Sequence, residues 1–83
     1  MFTDDADLKI FRKFHGRCVH CGRPAREIHE FEETRGAGGN GALREENRVT
    51  LCNPCHDWAH CIGIRVSGPL LKRDRDFALE AYA

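Results

Sequence analysis

Four cysteines stand in two Cys-x-x-Cys pairs, a spacing typical of a zinc site. They are Cys18, Cys21, Cys52 and Cys55. Each pair can present two thiolates from one turn of chain, and two such turns complete a tetrahedron around zinc. Because protein ligands fill all four positions, the predicted site is structural, and its binding energy contributes to folding.

Other interpretations of these cysteines stay open. Two disulfides would suit a secreted protein, but the acidic stretch from Met1 to Asp7 lacks the apolar core of a signal peptide. A thioredoxin-like redox pair would need a surrounding βαβ pattern, which we do not find. The fifth cysteine, Cys61, is interpreted as a small buried residue or an idle thiol. We therefore expect a cytoplasmic protein with a structural zinc.

Three histidines could form a second metal site. His56 and His60 are four residues apart, so on a helix they share a face and can meet one metal. His29 falls on a predicted strand and would face them if two strands pair and the helix packs across. Three neutral imidazoles leave positions for water and a phosphate oxygen, as at a catalytic metal. His15 and His20 are expected to be exposed side chains.

The pattern of apolar, capping and turn residues predicts a small α+β fold. The predicted elements are a helix over 5–14, a knuckle over 18–22, a strand over 26–32, a Gly-rich loop over 35–42, a strand over 48–51, a helix from Asn53 and Pro54 to about Gly63, a connection over 64–70 and a helix over 71–82. Candidate packing residues are Leu8, Phe11 and Phe14 in the first helix, and Leu71, Phe77, Ala78, Leu79 and Tyr82 in the last.

Length and charge limit the function. The 83 residues predict one domain, 1–83, whose hydrophobic core is too small to give the fold much stability without a metal. The 13 basic and 13 acidic residues cancel, which is not the footprint of a tight, non-specific DNA binder. No apolar run approaches the length of a membrane span, so we expect no membrane partner.

Several of these motifs together resemble the HNH endonuclease family. The resemblance is carried by Glu27-Ile28-His29-Glu30, by Asn47, and by Leu51-Cys52-Asn53-Pro54-Cys55-His56 followed by His60. It covers about residues 16–61 and is closest to the zinc-ribbon-containing branch common in bacteria and their phages. It implies a ββα-metal core flanked by short N- and C-terminal helices. It also implies a metal-dependent DNA endonuclease that nicks one strand and leaves 3′-hydroxyl and 5′-phosphate ends.

The resemblance also implies roles for single residues. His29, His56 and His60 would bind a catalytic divalent metal, which could be Mg²⁺, Mn²⁺, Ni²⁺ or Zn²⁺. Asn47 takes the position that orients the general base or supports the metal. Glu27 matches an acidic position of the colicin DNase type.

The general-base position departs from the family pattern. The family has His directly after the first motif residue, whereas this chain has Glu30, a His-Glu variant. A carboxylate can also deprotonate water, so Glu30 is the predicted base. In a second alignment His29 would be the base and Ile28 would take the ligand position, but Ile cannot bind a metal.

The predicted partner is DNA, contacted through Arg35, Arg44 and Arg48, although these could equally form an ordinary solvated surface. Since the chain has no basic surplus, we also expect help from a larger phage packaging or restriction assembly, with the chain a monomer or weak dimer. The competing hypothesis is a noncatalytic zinc module that binds DNA or a protein. The low net charge and Glu30 favour that alternative, whereas the three well-placed histidines do not.

Overall fold

Three α-helices, a short 3-10 helix and a two-stranded sheet make up the part of the chain that the computed structural model describes, residues 5–31 and 44–82. The elements are α1 (Asp5–Lys13), β1 (Glu27–Glu30), the 3-10 helix (Glu45–Asn47), β2 (Arg48–Leu51), α2 (Asn53–Ile62) and α3 (Ile64–Ala81). This composition confirms the small α+β class. No helix in the described ranges combines the length and apolar character needed to cross a membrane.

The two strands form a sheet with two distinct faces. They pair antiparallel, with His29 opposite Val49 and Glu30 opposite Arg48. Successive side chains of a strand point to opposite faces of the sheet. The His29–Val49 pair therefore lies on one face and the Glu30–Arg48 pair on the other. Arg48 lies on the α1 side, where its guanidinium donates to the carboxylate of Asp7. His29 lies on the α2 side, within ring contact of that helix.

The first two helices and the strands follow the sequence closely. α1 has acidic side chains in its first turn and basic ones in its last, which complement the helix dipole. α2 has Pro54 in its first turn and ends at Gly63. β2 has its predicted bounds, whereas β1 begins one residue later than predicted and ends at Glu30. The predicted Gly-rich loop over 35–42 lies outside the described residues.

The last helix is longer than predicted, and the predicted connection over 64–70 is wrong. α3 begins at Ile64, directly after α2. Gly63 alone turns the chain between the two helices, with a φ of 83° in the left-handed region that favours glycine. The two helices therefore meet at a single-residue corner.

The Gly-Pro pair that predicts a break lies inside α3 and permits a close contact with the sheet. Pro69 has no N–H to donate to the carbonyl of Arg65, which weakens the helix locally. Gly68 packs against the end of β1 so closely that a Cβ there would lie 2.7 Å from the carbonyl oxygen of Phe31. This approach of α3 to β1 fixes where the helix crosses the sheet.

The core lies between the sheet and the three helices. Its buried members include Ile10, Phe14, Phe31, Val49, Leu51, Ala59, Leu71 and Ala78, together with Cys18, Cys52 and Cys55. Leu79 and Tyr82 pack against this cluster as predicted. Phe77 does not, because its side chain is 76% exposed on the outer side of α3. In α1, Ile10 is buried more deeply than the predicted Leu8 and Phe11.

We predict that Gly68→Ala lowers the free energy of unfolding by about 1–3 kcal/mol. The added methyl group meets a backbone carbonyl, which cannot swing aside as a side chain could. This cost outweighs the gain of about 1 kcal/mol in helix propensity. Urea unfolding of the zinc-loaded protein measures the change. Val66→Ala, at a position 54% exposed on the same helix, is the control and should change stability little. Equal stability of both variants would contradict the close contact.

Candidate metal centres

The four paired cysteines converge on one point between two distant parts of the chain. Their sulfur atoms all lie within 4.8 Å of one another. Cys18 and Cys21 come from the turn after α1, where Cys18 N–H donates to the carbonyl of Arg23 at 2.7 Å. Cys52 is the N-cap of α2, and Cys55 lies in its first turn. The predicted grouping of these four residues is therefore observed.

The spacing of the sulfurs suits a shared metal better than a disulfide. The Sγ atoms of Cys21 and Cys52 are 3.4 Å apart, whereas bonded sulfurs lie about 2.0 Å apart. Ligands at about 2.3 Å from a tetrahedral zinc lie roughly 3.8 Å from each other. None of the cysteines in the described residues forms a disulfide. The cluster could thus hold a structural metal such as zinc.

The thiols influence one another's pKa through burial and mutual hydrogen bonds. Burial opposes ionisation of Cys52, yet hydrogen bonds from the Cys55 backbone and from neighbouring thiols lower its pKa to about 7. Burial, and then hydrogen bonding to the other thiols, raises the pKa of Cys55. Burial likewise raises the pKa of Cys21. Four thiolates this close repel one another, and a bound dication offsets much of that repulsion, which is the chemistry of a zinc–thiolate site.

A histidine beside this cluster has a structural role that the sequence did not suggest. His20 was predicted as an exposed side chain, and its side chain is indeed 36% exposed. It nevertheless stacks on Trp58 of α2, with ring centroids 4.3 Å apart. Its Nδ1 lies 2.7 Å from a carboxylate oxygen of Asp74 in α3. His20 therefore ties the first cysteine turn to two helices.

The three predicted histidines also come together. Ring centroids are 5.2 Å apart for His29 and His56, 5.4 Å for His29 and His60, and 4.5 Å for His56 and His60. The Nε2 atoms of His56 and His60 are 3.1 Å apart. One nitrogen from each ring can be chosen so that all lie within 4.8 Å of one another. Nitrogens bound at about 2.0–2.1 Å to a tetrahedral metal lie roughly 3.4 Å apart, so the group fits one ion.

One ring nitrogen of His29, Nε2, is buried and lacks a hydrogen-bond partner. His29 is only 9% exposed, and its Nε2 accepts and donates no hydrogen bond. Such an orphaned polar atom is costly in a protein interior unless something binds it. Burial first, and then the neighbouring His56 and His60, lower the pKa of His29 to about 4. The ring is therefore neutral, with a lone pair free for a cation.

The cluster is closed on the sheet side and open on the other. Burial, followed by the charge of His60, lowers the pKa of His56, while Glu27 and Asp57 act in the opposite direction. His60 is exposed. A cavity of about 230 Å³ adjoins the imidazoles, and its lining includes His29, His60, Gly63 and Ile64. A ligand held by the rings would therefore remain accessible.

The two glutamates of β1 lie on different faces of the sheet. By strand alternation Glu27 shares the face of His29, and it is close enough to influence the charge of His56. Glu30 is the cross-strand partner of Arg48, on the face that turns to α1. Of the two β1 glutamates, Glu27 is therefore the one on the face of His29, and the sequence indicated it only through the resemblance.

The remaining predicted site residues occupy varied environments. Asn47 is buried at the end of the 3-10 helix, just before β2, and its backbone carbonyl accepts a hydrogen bond from Phe31 N–H at 3.1 Å, directly after β1. Arg44 is exposed before the 3-10 helix. Arg48 is not on the surface: its side chain is 8% exposed and pairs with Asp7. Arg35 lies outside the described residues.

Comparison with known proteins adds no relative. No protein-family model, no curated protein and no solved structure matches the chain. The inferences about function therefore depend on the two clusters themselves.

We predict that Cys52→Ser abolishes tight zinc binding and lowers the free energy of unfolding by about 3 kcal/mol or more, because metal binding at such a site is folding energy. Zinc content and thermal unfolding measure the effect. Cys61→Ser removes an exposed thiol outside the cluster and should leave both unchanged. Equal zinc content in the two variants would contradict the assignment.

Proposed function

We propose that the chain is a metal-dependent nuclease of the HNH type, which hydrolyses a phosphodiester bond in DNA. The observation that carries this proposal is the convergence of His29, His56 and His60 beside an open cavity, with the buried Nε2 of His29 lacking any partner. A structural zinc finger has no use for such a second cluster. An accessible three-nitrogen site is typical of catalytic metals.

The order and packing of the elements support the same proposal. The imidazoles come from β1 and from α2, which packs against the sheet. Two strands followed by a helix, with the ligands on the facing sides, is the arrangement that a ββα-metal core requires. The four-cysteine cluster sits at the start of the same helix and sets its position.

A divalent cation, when bound, supplies positive charge for a phosphate oxygen and for the developing charge of the leaving group. The protein's own contribution is to hold three neutral ligands in place. Burial keeps His29 unprotonated, and α2 presents His56 and His60 from one face. In this proposal a phosphate group of the DNA strand approaches the metal from the open side, where the cavity lies.

The hydrolysis also needs a base. In the proposed reaction water attacks phosphorus, the base takes the water proton, and the bond to the 3′ oxygen breaks. The 3′ oxygen acquires a proton, which leaves 3′-hydroxyl and 5′-phosphate ends. Glu30 takes the base position of the family motif, whereas Glu27 lies on the same face as the ligands. The structural position favours Glu27 as the carboxylate that acts at this site.

We predict that His56→Ala lowers nicking of supercoiled plasmid by about a hundredfold or more, since mutations at metal ligands remove the charge that stabilises the transition state. The assay is run with Mg²⁺, Mn²⁺, Ni²⁺ and Zn²⁺ in turn. His15→Ala, which removes a ring stacked on Tyr82 away from the cluster, is the control and should retain activity. If no cation supports cleavage by the natural chain, the alternative of a noncatalytic zinc module is favoured.

A comparison of Glu27→Gln with Glu30→Gln shows which of the two carboxylates acts as the general base. We predict that Glu27→Gln lowers the rate by about 10²–10⁴-fold, the usual contribution of a general base, and that Glu30→Gln has the smaller effect. Single-turnover nicking rates measure both, with zinc content as the check on folding. The reverse order of effects would assign the base to Glu30, as the motif alone suggests.

A further inference from the structure

An open groove of about 490 Å³ runs along the first half of α3, next to the imidazole cluster. We call it the α3 groove; its lining residues are Phe31, Ile64, Arg65, Gly68, Pro69 and Lys72. Ile64 also lines the cavity beside the imidazoles. The two hollows therefore share Ile64, the first residue of α3, as a lining residue.

The groove is positively charged. Arg65 and Lys72 are both exposed, and neither side chain forms a hydrogen bond or ion pair within residues 5–31 and 44–82. The acidic residues of α3 all lie beyond the groove: Asp74, Asp76 and Glu80. Asp74 is bonded to His20 and Asp76 to Arg75, so two of these charges are already engaged.

The spacing of the two cations suits a phosphate backbone. They are seven residues apart, or about two helical turns, so they lie on the same side of α3. Seven residues of helix span about 10.5 Å. That distance equals the rise of roughly three base pairs along the axis of a duplex.

Arg48, one of the arginines that the sequence predicted to contact DNA, is buried against Asp7. A chain with no net charge must bind a polyanion through a local concentration of cations. The first ten residues of α3, 64–73, carry three basic and no acidic side chains. This is the basic surface next to the imidazoles.

We propose that the α3 groove holds the sugar–phosphate backbone of the nucleic-acid strand that lies at the imidazole cluster, with Arg65 and Lys72 each contacting a phosphate. The proposal rests on the proposed nuclease function for its ligand. The apolar floor formed by Ile64 and Pro69 suits the sugar faces between two phosphates.

The test measures binding without cleavage. Fluorescence anisotropy follows a labelled 20-nucleotide single strand and a 20-base-pair duplex, in buffer with no added divalent cation and with zinc retained in the protein. The variant is Arg65→Gln/Lys72→Gln. The control is Arg12→Gln/Arg26→Gln, which removes the same charge at exposed positions outside the groove.

We expect the groove variant to bind DNA about tenfold more weakly at low salt. The slope of log K against log salt should fall in magnitude by about 1.4–1.8, the value for two lost phosphate contacts, while the control keeps its slope. Equal losses in the two variants would overturn the proposal, as would no binding by the natural chain at low salt. Equally groove-dependent binding of polyglutamate would assign the groove to an acidic protein instead.

The outcome is separable from that of the nuclease proposal. DNA binding that depends on the groove, with no nicking under any cation, would support the groove proposal and contradict the nuclease proposal. Nicking together with DNA binding that does not depend on Arg65 and Lys72 would support the nuclease proposal and contradict the groove proposal.

Discussion

Bringing Cys18 and Cys21 against Cys52 and Cys55 joins the turn after α1 to the start of α2. Cys21 and Cys52 are 31 residues apart in the chain, and a metal bound between the two pairs would add its binding energy to this contact. A hydrophobic core of this size supplies only a few kcal/mol net, whereas a structural zinc site contributes about 10 kcal/mol or more. The packing of β1 and β2 against the helices, and the placement of α3 by Gly68, depend on that joint being made.

The same joint organises the second cluster. Cys55 and His56 are adjacent in α2, so a metal that fixes the first also fixes the second. His60 follows one turn later, and His29 comes from the strand on which that helix packs. The three imidazoles are therefore positioned by folding rather than gathered by their own ligand. The buried, unpartnered Nε2 of His29 is stabilised only when something binds it.

The sequence predicted what local spacing determines and missed what depends on distant packing. The cysteine pairs, the histidine step on α2 and the bounds of β2 follow from period and capping, and all are observed. The start of α3 could not be predicted, because Gly68 and Pro69 are breakers unless the end of β1 lies against them. The exposure of Phe77 likewise depends on which side of α3 meets the core.

The surroundings of two predicted site residues likewise depend on contacts between distant elements. Arg48 resembled a phosphate ligand in sequence, but α1 supplies Asp7 as its partner. Glu30 sits next to His29 in the chain yet points to the opposite face of the sheet, since neighbours in a strand alternate. Motif adjacency indicated Glu30, whereas the strand register puts Glu27 on the face of His29.

Cobalt titration followed by optical absorption tests most directly whether one chain holds two chemically different metal sites. Cobalt bound by thiolates gives an intense sulfur-to-metal charge-transfer band, whereas cobalt bound by imidazoles does not. We predict that a first equivalent produces the band and that a second binds without it, the second being lost in His56→Ala. A single equivalent, unaffected by that substitution, would contradict the account.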